Sequence, residues 1–256
     1  MEKLPFFSIV TASFNNASTI RDTLDSVRDQ VSQNCEHIVV DGNSTDNTIA
    51  ILQEYESKYH LRWISERDDG ISDALNKGIQ LSNGRYIIVI QADDYLIDRY
   101  ILQKVFPLLQ DERLDIYSCP VILKDEHGHE SVHRPNKFTK LRYRFKNIFR
   151  HQGSFVHRRL YDQIGLFRKD LSISMDYEFF YRSLKANCRY LTGTAPVAVM
   201  RREGISRRQH LLRILEEMRA QDLNEDNVLW RATQILFRSA YLPYRKFRAY
   251  LDPNHE

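Results

Sequence analysis

Residues 84–96 read GRYIIVIQADDYL. Within them Tyr86-Ile87-Ile88-Val89-Ile90 is a β-branched run bounded by Asn83-Gly84, the pattern of a strand buried on both faces. The run ends abruptly on two adjacent carboxylates, Asp93 and Asp94. In parallel sheets, ligands bind just beyond the carboxyl ends of the strands. Two like charges placed there repel each other unless something positive holds them, and a divalent metal is the usual solution.

Upstream of this run the chain alternates between periods of two and of 3.6. Phe6–Thr11 reads as a strand and Ser18–Gln30 as a helix with Ile20, Leu24 and Val27 on one face. Glu36–Asp41 is a second strand, and Ser44-Thr45-Asp46 caps a helix carrying Ile49, Ile51, Leu52 and Tyr55. Leu61–Ser65 is a third strand, Ile71–Leu81 a third helix and Arg85–Gln91 the fourth strand. Such alternation with short connections predicts right-handed βαβ units and a parallel sheet covered on both faces.

Downstream the pattern is less regular. A helix is expected over Tyr100–Leu109, a strand over Asp115–Lys124 and a polar turn at Asp125–His129. His127 and His129 of that turn are either solvated or metal ligands. A strand near Ser154–His157, helices over Arg159–Ile164 and Met175–Ala186, and a strand at Val197–Arg201 follow. Two helices close the chain, Ser206–Asp222 and Asn224 to about Leu251, the second kinked or broken at Pro243.

The bulk properties exclude several classes. With 256 residues, 42% hydrophobic and 28% charged, the chain is an ordinary globule able to bury a sizeable core. Cys35, Cys119 and Cys188 are scattered and without ligand spacing, which reads as reduced cytosolic thiols. Met1–Pro5 leads into a strand without the pattern of a signal peptide, and no apolar run approaches the ~20 residues of a membrane span. Net charge is only +3, and no nucleic-acid module accompanies the local basic stretches.

Polar loops follow each of the first four strands: Thr11–Asn16, Asp41–Asp46, Glu66–Asp73 and Gln91–Asp94. One such loop is a helix cap and nothing more. Four on one sheet edge form an acidic rim suited to the base and ribose hydroxyls of a nucleotide and to a metal-bound diphosphate. Neither Gly-x-Gly-x-x-Gly nor Gly-Lys-Ser/Thr is present, so bound phosphates need a cation to carry their charge.

These stretches, SIVTASFNN, HIVVDGNSTDNT, ISERDDGISDALNKGI and GRYIIVIQADD, together with HQGSFVHRRLYDQIGLF and SMDYEFFYR, resemble family 2 glycosyltransferases with the GT-A fold, of the bacterial surface-polysaccharide type. The resemblance covers about Phe7 to Ala186. It implies an α/β Rossmann-like, mostly parallel sheet with a helical C-terminal extension. It further implies that Asp41 accepts a hydrogen bond from uracil, that Thr11 and Ser13 line the base and ribose, and that Asp73 touches the uridine portion. Asp93 then contacts ribose or metal, and Asp94 holds Mg2+ or Mn2+ against the diphosphate. The family more often has Asp or Asn where this chain has Gln91, a poor ligand for a hard cation.

By the same resemblance Asp176 is the catalytic base of an inverting reaction, with Met175 where Glu is more usual and Glu178 as the alternative carboxylate. A carboxylate near a helix start is also favourable without any catalytic role. His151-Gln152-Gly153 matches an element on the acceptor side; it binds a phosphate oxygen or sugar hydroxyl, or is a structural turn.

Lys137–Arg150 and Leu236–Leu251 interleave aromatics with Lys and Arg. In the first, Phe138, Leu141, Phe145 and Ile148 share a helical stripe. It is a core-facing amphipathic helix or an interfacial one seated in anionic headgroups.

The expected organisation is a catalytic domain over 1–203, divided into a nucleotide-binding half (1–95) and an acceptor half (96–203), with a helical extension over 204–256. The expected activity is inverting, metal-dependent transfer from a nucleotide sugar, a UDP-sugar, to a hydroxyl of a growing glycan. The acceptor is a free glycan or one linked to polyprenyl diphosphate, met in the cytoplasm at the inner face of the membrane. A sugar nucleotidyltransferase and a non-catalytic sugar-nucleotide-binding subunit are the rival readings.

Overall fold

The computed structural model describes residues 4–32, 34–135, 143–145, 147–201 and 210–251. Its first half follows the sequence pattern closely: β1 (Phe7–Ser13), α1 (Ile20–Arg28), β2 (Cys35–Asp41), α2 (Thr48–Tyr55), β3 (Leu61–Ser65), α3 (Ile71–Leu81) and β4 (Tyr86–Val89). Side chains of β1, β2 and β4 alternate between two dry layers. Val10, Ala12, Ile38, Val40, Ile87 and Val89 face α3, while Phe7, Ile9, Tyr86, Ile88 and Ile90 face the opposite side. Gly78 of α3 lets the helix sit on β1, since a Cβ there would meet Val10 Cγ1 at 2.5 Å.

The second half consists of β5 (Tyr95–Leu96), α4 (Ile101–Val105) continued by a 3-10 turn (Phe106–Leu109), β6 (Ile116–Ser118), β7 (Val121–Lys124), β8 (Glu130–His133), a 3-10 turn (His151–Gly153), β9 (Ser154–His157), α5 (Arg158–Ile164), α6 (Met175–Lys185), β10 (Tyr190–Thr192) and β11 (Ala198–Arg201). α7 (His210–Asn224) and α8 (Val228–Leu251) follow. The main sheet has the order β10-β6-β9-β4-β1-β2-β3. It is parallel except for β9, which runs antiparallel to both β4 and β6. A smaller sheet, β5-β11-β7-β8, lies beyond the end of β4.

Two expectations are corrected. The strand expected over Asp115–Lys124 is two strands in different sheets, β6 and β7. Pro120 sits between them and has no N–H to give to a ladder, so the chain leaves one sheet there and enters the other. Of the kink and the break expected at Pro243, the break is absent: α8 runs continuously across it.

Half of the expected amphipathic helix over Lys137–Arg150 lies outside the described residues, as does the proposed boundary at 203/204. Its described part packs inward. Tyr143, Ile148 and Phe149 are buried, and Phe145 meets Phe237 at 5.0 Å between ring centroids. Residues 147–150 are not helical.

At the amino edge of the sheet, buried Glu36 gathers Ser8, Asn83 N–H, Gly84 N–H and Arg62. These groups pin the starts of β1, β2 and β4 in register. Gly84 permits the approach, because a Cβ there would lie 2.5 Å from the Ser8 amide.

Candidate active site

The four polar loops do converge at the carboxyl edge of the main sheet, and the first two bind each other. Asn15 adopts φ 54° and its side chain accepts from Thr45 N–H at 2.8 Å; Asp46 accepts from Ala17 N–H at 3.0 Å. Asp41 ends β2 fully buried. Its carboxylate accepts from Ser44 N–H, Ser44 Oγ and Ser65 Oγ at 2.9, 2.5 and 2.8 Å, an Asx-type turn that shapes the start of the following loop. Thr11 is buried under the floor of the edge and donates to Ile90 O at 2.6 Å. Ser13, two residues on, has a buried hydroxyl without a hydrogen-bond partner.

Asp73 lies in the first turn of α3 and accepts from Asp69 N–H at 3.2 Å. Lys169 pairs with its other oxygen, and Lys77 approaches at 3.4 Å. Lys169 first, and then these neighbours, hold the Asp73 carboxyl below the usual range against a weaker effect of burial.

The acidic pair after β4 divides into two environments. Asp93 keeps part of its surface exposed. Asp94 is 1% exposed, and each of its oxygens accepts a hydrogen bond: Oδ1 from Arg201 N–H at 2.8 Å, Oδ2 from the Gln152 amide at 2.7 Å. Burial, and then the charge of Asp93, push the Asp94 carboxyl well above its usual range, against those hydrogen bonds. The Arg201 guanidinium donates to Asp93 O at 2.9 Å and to Asp22 at 2.5 Å, closing β11 over the motif. Arg201 was read from sequence only as the end of a strand; nothing local marks its role, which exists only once β11 pairs with β5.

Asp176 opens α6 and is buried. Its Oδ2 accepts from the Asn147 amide at 3.2 Å and lies 3.6 Å from His151 Nδ1. Burial would raise this carboxyl, but the contact and charge of His151, the charge of Arg150 and the Asn147 amide outweigh it and hold the group below the usual range. His151 Nε2 in turn lies 3.3 Å from Gln91 Nε2. The ring thus stands between Gln91 on one side and Asp176 on the other. Gln91, read from sequence as a departure from the usual acid, contacts the histidine. Glu178, two residues after Asp176, is spent elsewhere: it pairs with Arg182 at 3.0 Å and accepts from the Asn224 amide at 3.1 Å.

Gln152 Oε1, like Ser13 Oγ, is a buried polar atom lacking a hydrogen-bond partner. Buried orphans are rare and call for a ligand or solvent. Among the described residues no three His, Cys, Asp or Glu side chains converge to cage a cation. His127 and His129 are exposed on their turn, where His129 pairs with Asp125 at 3.2 Å.

A mostly parallel sheet with an acidic pair and a buried aspartate at its carboxyl edge is an arrangement of the GT-A type. The chain belongs to glycosyltransferase family 2: residues 8–173 match the family described as "Glycosyl transferase family 2". It is 30% identical over 181 residues to a PGL/p-HBAD biosynthesis glycosyltransferase of Mycobacterium bovis, covering 70% of this chain and 69% of that one. A putative teichuronic acid biosynthesis glycosyltransferase of Bacillus subtilis, TuaG, is 39% identical over 93 residues, covering 35% and 36% of the two chains.

Among solved structures, S. aureus TarS 1-349 in complex with UDP-GlcNAc superposes with a TM-score of 0.67 at 19% identity, over 92% of this chain and 71% of that one. The mannosyltransferase PcManGT from Pyrobaculum calidifontis, in complex with GDP-Man and Mn2+, gives 0.68 at 20% identity, over 93% and 70%. These two share the fold. The protein is thus a family 2 glycosyltransferase of glycan biosynthesis.

Proposed function

We propose that this enzyme transfers a sugar from a nucleotide-sugar donor, a UDP-sugar, to a hydroxyl of a growing glycan, with inversion at the anomeric carbon and Asp176 as base. The observation that carries the reading is the line Gln91–His151–Asp176. It joins the loop of the acidic pair to a buried carboxylate held in the form that accepts a proton. The acceptor hydroxyl attacks the anomeric carbon as the bond to the diphosphate breaks. Its proton passes to Asp176, and the nucleoside diphosphate leaves with the bonding electrons. His151 stands 3.6 Å from Asp176 Oδ2 and Asn147 donates to the same oxygen, so the two together fix the carboxylate's orientation.

The residues after β4 fit a divalent cation, Mg2+ or Mn2+. Such an ion takes one or two protein carboxylates and completes its shell with phosphate oxygens and water, so no protein cage is needed. Asp93, partly exposed, is the side chain that would hold it; Asp94, expected from the sequence to hold the ion, is instead sealed behind by Gln152 and the Arg201 amide and shapes the turn that presents Asp93. When bound, the ion supplies Lewis-acid stabilisation to the departing diphosphate. Ser13, Asp41 and Asp73 form the nucleotide side, with Thr11 beneath, and His151 and Gln152 the acceptor side.

The catalytic unit spans 1–203, with its halves meeting after residue 95, and the helices of 204–256 support it. The relatives' names, in glycolipid and cell-wall glycan biosynthesis, support an acceptor that is a glycan or is linked to polyprenyl diphosphate. The same reading has the enzyme work at the cytoplasmic face of the cell membrane. No helix among the described residues is long and apolar enough to cross that membrane.

Incubation with UDP-, GDP- and dTDP-sugars, with and without Mn2+, tests the reading through released nucleoside diphosphate and the anomeric configuration of the product. Metal-assisted diphosphate release with an inverted product is the expected result. Pyrophosphate release, or tight donor binding without turnover on any acceptor, overturns it.

A further inference from the structure

α8 is amphipathic in the reverse sense. Its polar residues face the protein: Arg238 is buried and pairs with Glu217 at 2.6 Å, and Arg231 pairs with Asp222 at 3.3 Å. Buried Gln234 donates to Arg144 O at 3.0 Å. Its outer face carries Val228, Leu229, Ala232, Ile235, Leu236 and Ala240, all exposed, with the small polar Thr233 and Ser239 among them and the half-exposed Arg231 at its edge. Val228, Leu229 and Leu236 keep 76%, 77% and 69% of their surface in solvent. The Glu217–Arg238 and Asp222–Arg231 pairs set α7 antiparallel to α8, so exposed Leu223 lies toward the start of α8 and exposed Leu215 toward its middle.

A contiguous apolar face of this kind on a soluble domain marks a contact surface. Phe145 and Phe237, from the two basic aromatic segments, pack on each other with Trp230 beside them, so these rings follow the core-facing alternative.

We propose that the outer face of α8, extended by Leu215 and Leu223 of α7, is the surface on which the enzyme lies against an anionic lipid bilayer. The sequence 227–251 contains Arg231, Arg238, Arg245, Lys246 and Arg248 and no Asp or Glu. The acids of α7 are committed: Glu216 to backbone amides, Glu217 to Arg238, Asp222 to Arg231. An apolar face on a helix whose own charge is wholly basic suits acyl chains bordered by phosphate headgroups. Arg231 and Arg238 are balanced by Asp222 and Glu217, so the further positive charge of the helix is that of Arg245, Lys246 and Arg248; two copies pressed together on this face would bring that charge like to like, and a second copy is the poorer occupant. The proposal rests on the functional reading only for its purpose, since an acceptor carried on a lipid must be met at the bilayer.

The test is flotation of the full chain with vesicles of phosphatidylcholine alone and with phosphatidylglycerol added, beside a Leu229→Glu, Ile235→Glu, Leu236→Glu variant. The wild type is expected to float with the anionic vesicles and much less with the neutral ones. The variant, folded by circular dichroism, is expected to lose about tenfold or more in partitioning, because charge replaces the inserted side chains. Equal binding by the variant, or no binding by the wild type, overturns the proposal. So does a dimer, seen by light scattering, that the variant makes monomeric. Because vesicle binding is read without turnover, a chain that floats but transfers nothing removes the functional reading and leaves this one standing.

Discussion

At the residue scale the site turns on what each carboxylate is allowed to do. Asp176 is buried yet ionised, because His151, Arg150 and Asn147 together outweigh the cost of burial. Asp176→Asn keeps the shape and the Asn147 contact but cannot take a proton. Transfer should fall by roughly 10²–10⁴ while donor affinity, measured by calorimetry, stays within about twofold. Normal turnover by this variant removes Asp176 as base.

His151 supplies the largest influence that lowers the Asp176 pKa, so removing it must raise that pKa. His151→Asn is therefore expected to move the acid limb of kcat/KM to higher pH. In the wild type that limb lies below the ordinary aspartate value of about 3.9. A pH profile identical in the two proteins would show that the imidazole has no hold on the base.

At the scale of elements, the loop before α6 is clamped from both sides. From α3, Asn76 exchanges hydrogen bonds with Phe167 O and N–H at 2.8 and 2.9 Å, and Ser72 donates to Leu171 O at 2.8 Å. From α7, the buried Glu216 carboxylate accepts from the amides of Ser172, Ile173 and Ser174 at 2.8, 2.7 and 2.8 Å. Those three amides sit at the entrance to α6, immediately before Asp176, so the C-terminal helix sets the aim of the base. Glu216→Ala leaves buried amides unpaired, at a cost of about 1–3 kcal/mol. We expect a lower melting temperature together with a fall in kcat larger than any change in donor KM. A loss of stability with kcat untouched at a permissive temperature would reduce Glu216 to a structural brace.

At the scale of the whole molecule, stability should depend on acid through buried neutral histidines. His37 lies between Thr11 Oγ1 at 2.9 Å and Tyr59 OH at 2.7 Å, and burial depresses its pKa to about 3. His157 is depressed to about 4, first by burial and then by Arg159 and Arg85. In the unfolded chain both protonate near the ordinary value of about 6.5. The unfolded state therefore binds more protons below that pH, and stability is lost progressively as pH falls from about 6.5 toward the folded values. Denaturant melts at stepped pH should show this slope, and His37→Gln should flatten part of it. A slope unchanged in that variant would assign the acid sensitivity to other groups.

The first half of the chain was legible because its order is local. Strand periodicity, short connections and the abrupt step from Ile90 to Asp93 are properties of neighbouring residues, and β3 and α3 have the bounds that their patterns predict. The same locality marked the acidic pair, whereas Asp176 and His151-Gln152 were singled out only by resemblance to the family. Three things were settled only by packing at long range. The chain divides at Pro120 between two sheets, Gln91 meets a histidine 60 residues away, and Arg201 closes on a motif more than a hundred residues before it. α8 shows the limit most plainly. Its alternation of polar and apolar residues foretells a helix, but which side faces inward depends on where Glu217, Asp222 and Phe145 stand once the core has formed. A periodic pattern specifies the existence of two faces, whereas their partners are chosen by contacts between residues far apart in the chain.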